Sequence, residues 1–507
     1  MILFKSYVIR DVYNVISSRV CGISVTEAKD ILVSSATYTL AVFLLAKFSC
    51  LLWDSYAEGL RDPDFSLPLP PGNMGWPFLG ESHHFIKKGA DFFTERHAKY
   101  GDIYRTHILG RPMIRVSGAG NIRSLLNKEP HQLAMSTPTS TKHIFGAESA
   151  VVVTGQKHRG LKKKLSTCFT YQRLIDYLPC IQEHMRSHIL SWCSKGMILG
   201  FTACEELMCD IMLELALGWR KERDTHGQVR AAFLTVNQNL ISLPVKIPGG
   251  GFYKATQAKK IIVDFVKKRL SSEGDKDHVC MLDILLINHG QDNGLTDEEI
   301  IDNAVTFLLA GTGTTSSALS SSLLMLGKHP ECLADIRNEL DSKGLLTSEC
   351  GQDLNYDLIQ SLEICQSVCK EVLRLHPPVG GSFRQAKATL DVGGYRIPKE
   401  WKVMYGVRET QFGTTVFENR EAFLPQRWKD KSLEETLRTS ASCSYMPFGG
   451  GPRLCLGKSL AMMQMTIFLV EIARLVTWKI HNPNVKIVHL PVTKAQDNMP
   501  VSFTRRS

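Results

Sequence analysis

Between Thr296 and Leu326 the chain keeps one apolar helical period without a break, and this stretch limits the possible folds more than any other. Thr296 and Glu299 form a capping-box pattern at its start, and Gly327 with Pro330 predicts its end. At ~1.5 Å per residue such a helix runs roughly 45 Å, enough to cross a whole domain. Other helices must then pack around it. Its midpoint is weak. Gly311 and Gly313 each cost about 1 kcal/mol relative to Ala in a helix interior. Thr314 and Thr315 compete for backbone carbonyls. A central helix weakened at its midpoint implies either a bulky group lying against it or close helix–helix packing across the glycines.

Helical periodicity dominates the rest, and strand signals are short. Ile103 to Val116 alternates around Gly110-Arg111-Pro112 and predicts a hairpin; Thr389 to Tyr405, with Gly393-Gly394, predicts another; Pro500 to Phe503 predicts an edge strand. The expected fold is mainly α, a large helical domain with small peripheral sheets. With 44% apolar residues among 507, a large core is available. The 14 cysteines are scattered and form no CxxC pair, which argues against a disulfide framework or a zinc site and for a reducing compartment. The net charge of +10 suits an acidic protein partner or an anionic membrane, and no basic stripe with interleaved aromatics points to nucleic acid.

The N-terminal region divides into an extension (1–30), a candidate transmembrane anchor (31–53) and a Pro/Gly-rich hinge (54–80), ahead of one large globular domain (81–507). Ile31 to Trp53 is apolar apart from Lys47 and matches the ~20 residues needed to span a bilayer. The alternatives to an anchor are a buried core helix and an uncleaved presequence. Lys5, Arg10, Arg19 and Lys29 precede it, and Asp54, Glu58, Asp62 and Asp64 follow, so the positive-inside rule places the N-terminus in the cytosol. That conflicts with placing this domain on the cytosolic side. Pro68, Pro70 and Pro71 stiffen the hinge.

Two further patterns carry chemistry. Glu371 and Arg374 share a helix face inside an apolar stretch ended by Pro377-Pro378, and Arg427 sits in a Pro-containing coil. A Glu buried between two Arg is a structural lock, because buried charge persists only when paired. Cys455 follows Gly449, Gly450, Gly451 and Arg453 and precedes the helix predicted at Lys458 to Arg474. The glycines let the backbone approach a flat ligand, and the helix start lowers a thiol pKa. This setting suits a nucleophile or a metal ligand, and the local sequence offers no base for a nucleophile.

Phe448 to Gly457 resembles the F-x-x-G-x-R-x-C-x-G signature of the cytochrome P-450 superfamily. Glu371/Arg374, the Arg427 segment and Ala310-Gly311-Thr312-Gly313-Thr314 occur in that family's order. The resemblance implies haem b, iron protoporphyrin IX with Cys455 as axial thiolate, against Phe448 and Gly449 on one face and Ala310 and Gly311 on the other. It implies His158, Lys162, Arg384 and Arg453 as propionate partners. The run Arg159, Lys162, Lys163, Lys164 is alternatively a solvated face or a docking patch for an acidic reductase.

Thr314 is the implied catalytic residue. Many members carry an acid just before it, where this chain has Gly313. The implied activity is oxygen insertion using O2 and electrons from an NADPH-dependent flavoprotein reductase, at the endoplasmic reticulum membrane with the catalytic domain cytosolic.

Arg105 to Gly118, the segment from 242 to 260, Gly380 to Gln411 and Asp497 to Phe503 are similar to the retinoic-acid hydroxylase branch. This implies a lipophilic substrate, retinoic acid or a related retinoid, with Phe145, Phe307, Val379 and Met499 as walls, Gly380 and Gly381 making room, and Lys142 as carboxylate partner. Thr137 stands where that branch typically has an aromatic residue. The alternatives are a sterol-type lipid, an oxygen-independent haem-thiolate isomerase or dehydratase, and a haem sensor without turnover.

Overall fold

The computed structural model describes the chain except residues 1–24, 60–65, 220–226, 271–279, 347–352, 440–441 and 507 and the single positions 130, 241, 243, 288 and 292. The expectations placed on Lys5, Arg10, Arg19, Asp62 and Asp64 lie outside the described residues.

The central helix is Asp297–Lys328. Thr296 caps it as the pattern requires: Glu299 N–H donates to Thr296 Oγ1 at 3.2 Å, and Thr296 N–H donates to Glu299 Oε2 at 3.1 Å. The helix does not stop at Gly327. It continues to Lys328, and Pro330 opens the next helix, Pro330–Ser342. Gly327 serves packing instead, since a Cβ there would run into Ile480 and sit 3.1 Å from Trp478 Nε1. The Trp478 indole donates to Leu323 O at 3.1 Å, which fixes the strand Val476–Ile480 to the helix end. The helix is buried along most of its length within one large apolar core.

The sheets are small and peripheral. Ile103–Ile108 and Arg111–Val116 form the expected antiparallel hairpin. They open a five-stranded sheet that continues through Lys402–Gly406, Gly381–Ala386 and Leu133–Met135. The second predicted hairpin shrinks to Leu390–Val392 with Tyr395–Ile397. Lys402–Gly406 leaves it to run parallel to Arg111–Val116. The C-terminal strand, Pro500–Arg505, is not an edge: it lies between Met197–Leu199 and Val476–Ile480. An edge and a centre strand look alike locally, and the long-range pairing decides.

An N-terminal helix spans Val25–Gly59, and within it Val33–Trp53 is apolar and long enough to cross a membrane. Its described side chains are exposed almost throughout, which excludes the buried-core-helix reading for this segment. Trp53 docks on the body, its ring centroid 5.7 Å from Phe78 and 5.5 Å from His107. The described part of the hinge is fastened. Arg105 N–H donates to Pro71 O at 2.8 Å, Arg396 N–H donates to Pro68 O at 3.0 Å, and Met74 is buried.

Candidate active site

The cysteine loop is built by its glycines. Gly449 (φ +72°) and Gly451 (φ +63°) occupy the left-handed region, and Gly449 N–H closes a turn on Met446 O at 2.9 Å. Cys455 N–H then donates to Phe448 O at 3.0 Å, and the helix Lys458–Leu475 starts after Gly457. Of the described cysteines, Cys455 alone is exposed.

Although its surface is open, the protein packed around it is dense enough for desolvation to push its pKa up, against the Gly457 backbone and the Lys162 and Lys458 charges, which pull it down. The sequence expectation of a lowered pKa is therefore corrected: the helix start is outweighed by desolvation. A neutral resting thiol is a poor nucleophile, whereas a coordinated metal deprotonates a thiol outright. Lys162 straps the loop from outside, its Nζ donating to Pro452 O and Leu454 O at 2.9 Å each.

Cations gather beside this loop. Arg453 donates to Ala150 O at 2.9 Å and to Val153 O at 2.5 Å. Burial and then Arg384 depress its pKa to about 10. Arg384 is fully buried, pairs with Glu129, and leaves Nη2 without a hydrogen-bond partner. His158 is buried, and desolvation, Arg453 and Lys162 take its pKa to about 4, so at neutral pH it adds a ring N–H to this set and not a charge. A cavity of about 400 Å³ opens among Glu129, His158, Lys162 and Arg453. One carboxylate against this set leaves an uncompensated positive pocket. The residues therefore fit a bulky group carrying carboxylates, as the propionates of haem would provide.

On the central helix Ala310 is exposed at mid-length, while its neighbours Leu308 and Leu309 are buried. Thr314 Oγ1 donates to Ala310 O at 2.7 Å. Phe169 ties this helix to the cysteine loop: its ring lies 5.4 Å from that of Phe307, and a Cβ at Gly457 would stand 3.7 Å from it. Gly311 does not open toward a ligand. A Cβ there would meet Met212 Cε at 2.7 Å, so helix–helix packing accounts for this glycine. Gly313 is roomier, and a Cβ would lie 3.6 Å from Asn237 Oδ1.

The lock is complete in space. Arg374 Nε and Nη2 donate to Glu371 Oε2 and Oε1, both at 2.9 Å, and Arg427 Nε donates to Oε1 at 3.1 Å. Leu424 N–H and the Trp428 indole, each at 2.9 Å, fill the remaining acceptor sites of Glu371. Both guanidinium groups also hold the coil: Arg374 bonds Arg420 O and Ala422 O, and Arg427 bonds Glu418 O and Asn419 O.

The expected substrate residues separate. Phe145 and Phe307 are buried, Val379 is 42% exposed, and Gly380 faces open space. Three expectations are corrected. Lys142 stands exposed on the short surface helix Thr139–Phe145, as a solvated lysine does. Met499 is 1% exposed and packs against Gly200, beside Ser320 and Leu324 in the far half of the central helix. Gly381 makes no room for a ring, because a Cβ there would collide with Tyr405 O. Sequence reasoning missed Glu129, Phe169, Asn237 and Trp428. Only the Trp beside Arg427 carried a local signal.

Residues 70–492 match the family described as Cytochrome P450. The chain is 35% identical to Cytochrome P450 26A1 of Gallus gallus over 93% of its own length and 98% of that protein. It is 32% identical to Cytochrome P450 26B1 of Homo sapiens, over 93% and 94%. It superposes on a solved structure titled "Retinoic acid bound cyanobacterial CYP120A1" with a TM-score of 0.78 and 29% identity, covering 87% of this chain and 100% of that one.

Proposed function

The chain belongs to the cytochrome P450 family, and from this premise we propose that it oxidises retinoic acid or a closely related retinoid. Membership makes it a haem-thiolate monooxygenase. One observation carries the substrate: the retinoic-acid-bound structure aligns with 87% of this chain at a TM-score of 0.78. The 26A1 and 26B1 relatives at 32–35% identity agree with the branch to which the sequence is similar.

When bound, haem supplies the redox chemistry, in which one atom of O2 enters a C–H bond and the other leaves as water, using two electrons and two protons. The protein's part falls to named residues. Cys455 would hold the iron, as a thiolate. Lys162 holds its loop, so it positions the sulfur rather than meeting a propionate. Arg384, Arg453 and His158 receive the carboxylates. Ala310 offers a small side chain where the central helix must lie close to a flat ring. Thr314, hydrogen-bonded back to Ala310 O, keeps a hydroxyl at that face to orient protons. The Glu371 lock keeps the long coil before the cysteine loop in one conformation.

Arg159 and Lys163 are exposed on the helix that carries His158 and Lys162, where they also line the cavity beside Arg453, and this surface charge supports docking of an acidic NADPH-dependent flavoprotein reductase. Val33–Trp53 supports an endoplasmic reticulum membrane anchor with the catalytic body on the cytosolic side.

Titrating the purified haem protein with retinoic acid and a sterol panel, while following the haem spin state, tests the substrate. Retinoic acid is expected to shift the spin state at the lowest concentration and to yield hydroxylated product only with NADPH and reductase. A sterol shifting it at lower concentration overturns the substrate class. Turnover without reductant overturns the monooxygenase reading in favour of an isomerase or dehydratase.

A further inference from the structure

Gly313 removes an acid from the position before Thr314, and the fold sets against that position an amide that is hydrogen-bonded to another acid. Asn237, on the helix Gln228–Gln238, lies with Oδ1 3.6 Å from where a Gly313 Cβ would be. Its Nδ2 donates to Glu205 Oε1 at 2.7 Å. Glu205 sits on the helix Gly200–Leu217 and is half-buried. Three helices thus bring an amide to the gap that the missing side chain leaves, and a carboxyl to the other end of that amide.

We propose that Glu205, positioned by Asn237, is the proton donor of this enzyme and replaces the acid absent at Gly313. The proposal rests on the reading of Thr314 given above. The Glu205 O–H bond breaks as a water at the Gly313 gap gains the proton. That water, donating one O–H to Asn237 Oδ1, passes its other proton to the Thr314 oxygen as Thr314 gives up its own hydroxyl proton at the face it presents, so water and threonine both end neutral. The Glu205 carboxylate then regains a proton from solvent through its exposed side. The electrons are those the reductase already supplies, and no further reactant is needed.

The groups acting on Glu205 are consistent with a reloadable acid. Burial raises its pKa, the Asn237 hydrogen bond and Lys494 pull it down, and Glu206 raises it again. Lys494 is itself engaged with Asn498 Oδ1 and the Phe201 ring, so it does not form a hydrogen-bonded pair that would lock Glu205 in its ionised form.

The experiment uses the holoenzyme with its reductase and compares Glu205→Gln, Gly313→Asp in the Glu205→Gln background, and Thr314→Ala. The first carbon of the Asp side chain is in ordinary contact distance, 3.6 Å from Asn237 Oδ1. In Glu205→Gln, product formation should fall on the order of 10²-fold, with the electrons appearing as peroxide. The added Asp should restore most of that loss. In the resting protein, an infrared carboxylic C=O band absent from Glu205→Gln should titrate above the usual glutamate range.

If Thr314→Ala uncouples but Glu205→Gln does not, the proposal falls and the Thr314 reading stands. If neither uncouples, both fall. Loss in Glu205→Gln without rescue by Asp marks a packing defect and overturns the proposal, as does a Glu205 band that titrates as an ordinary solvated carboxyl.

Discussion

Glu371 and Arg427 lie 56 residues apart in the chain and meet at 3.1 Å, with the carboxylate fully buried. Their pairing fixes the coil from Glu418 to Trp428, whose Trp428 ring packs on Tyr445 just before the cysteine loop. Removing one partner leaves the other charge buried and uncompensated, which costs about 3–5 kcal/mol. Glu371→Gln and Arg427→Ala should each lower the melting temperature and the haem content per chain together. A variant with full haem content and an unchanged melting temperature would reduce the lock to an incidental contact.

The Cys455 thiol gives a pH dependence of known sign. Burial raises its pKa in the free protein, and ligation requires the thiolate, so binding iron through Cys455 releases a proton. Below the raised thiol pKa the apparent affinity of apoprotein for haem should rise about tenfold per pH unit, and it should flatten above it. Cys455→Ser should lose that slope along with the red-shifted ferrous–CO band typical of thiolate ligation. Persistence of that band in the variant would move the ligand elsewhere.

Much of this site is legible in the sequence, and the legible part shares one physical cause. A Glu and an Arg three apart in an apolar helix have one stable fate, burial with each other and a third partner. Three glycines, an Arg and a Cys before a helix likewise leave few foldable loops. What stays hidden depends on long-range pairing. Glu129 meets Arg384 across 255 residues and nothing near Glu129 marks it. Gly311 and Gly313 look equivalent in sequence, yet one packs on Met212 and the other faces Asn237. Pro500–Arg505 reads as an edge because the strand Met197–Leu199 that covers it is three residues long and lies some 300 residues earlier.

The helix Gly155–Leu165 divides its charges between two tasks. Lys162 is bonded to the cysteine loop, while Arg159 and Lys163 are exposed. Charge reversal at Arg159 and Lys163 should slow electron transfer from the reductase by about tenfold at low salt, with the difference shrinking as ionic strength rises. Both side chains also line the cavity beside Arg453, so haem content is read in parallel and should fall less than in Lys162→Glu. Lys162→Glu should lower haem content most, because it sets a carboxylate against two carbonyl oxygens. Equal effects from all three positions would remove the division.

Two adjacent glycines should answer differently to the same change. Gly381 lies in the strand Gly381–Ala386, where a Cβ would strike Tyr405 O in the neighbouring strand Lys402–Gly406. Backbone cannot yield there as a flexible side chain would, so Gly381→Ala should destabilise by about 1–3 kcal/mol, the usual range for overpacking. Gly380 has nothing within 4 Å of its Cβ position and follows the exposed Val379. Gly380→Ala should therefore change stability by no more than about 0.5 kcal/mol. If the open space beside Gly380 receives substrate, the same methyl group should raise the retinoic acid concentration needed for the haem spin-state shift. A Gly380→Ala protein that melts normally and titrates normally would place the substrate elsewhere, whatever Gly381→Ala does.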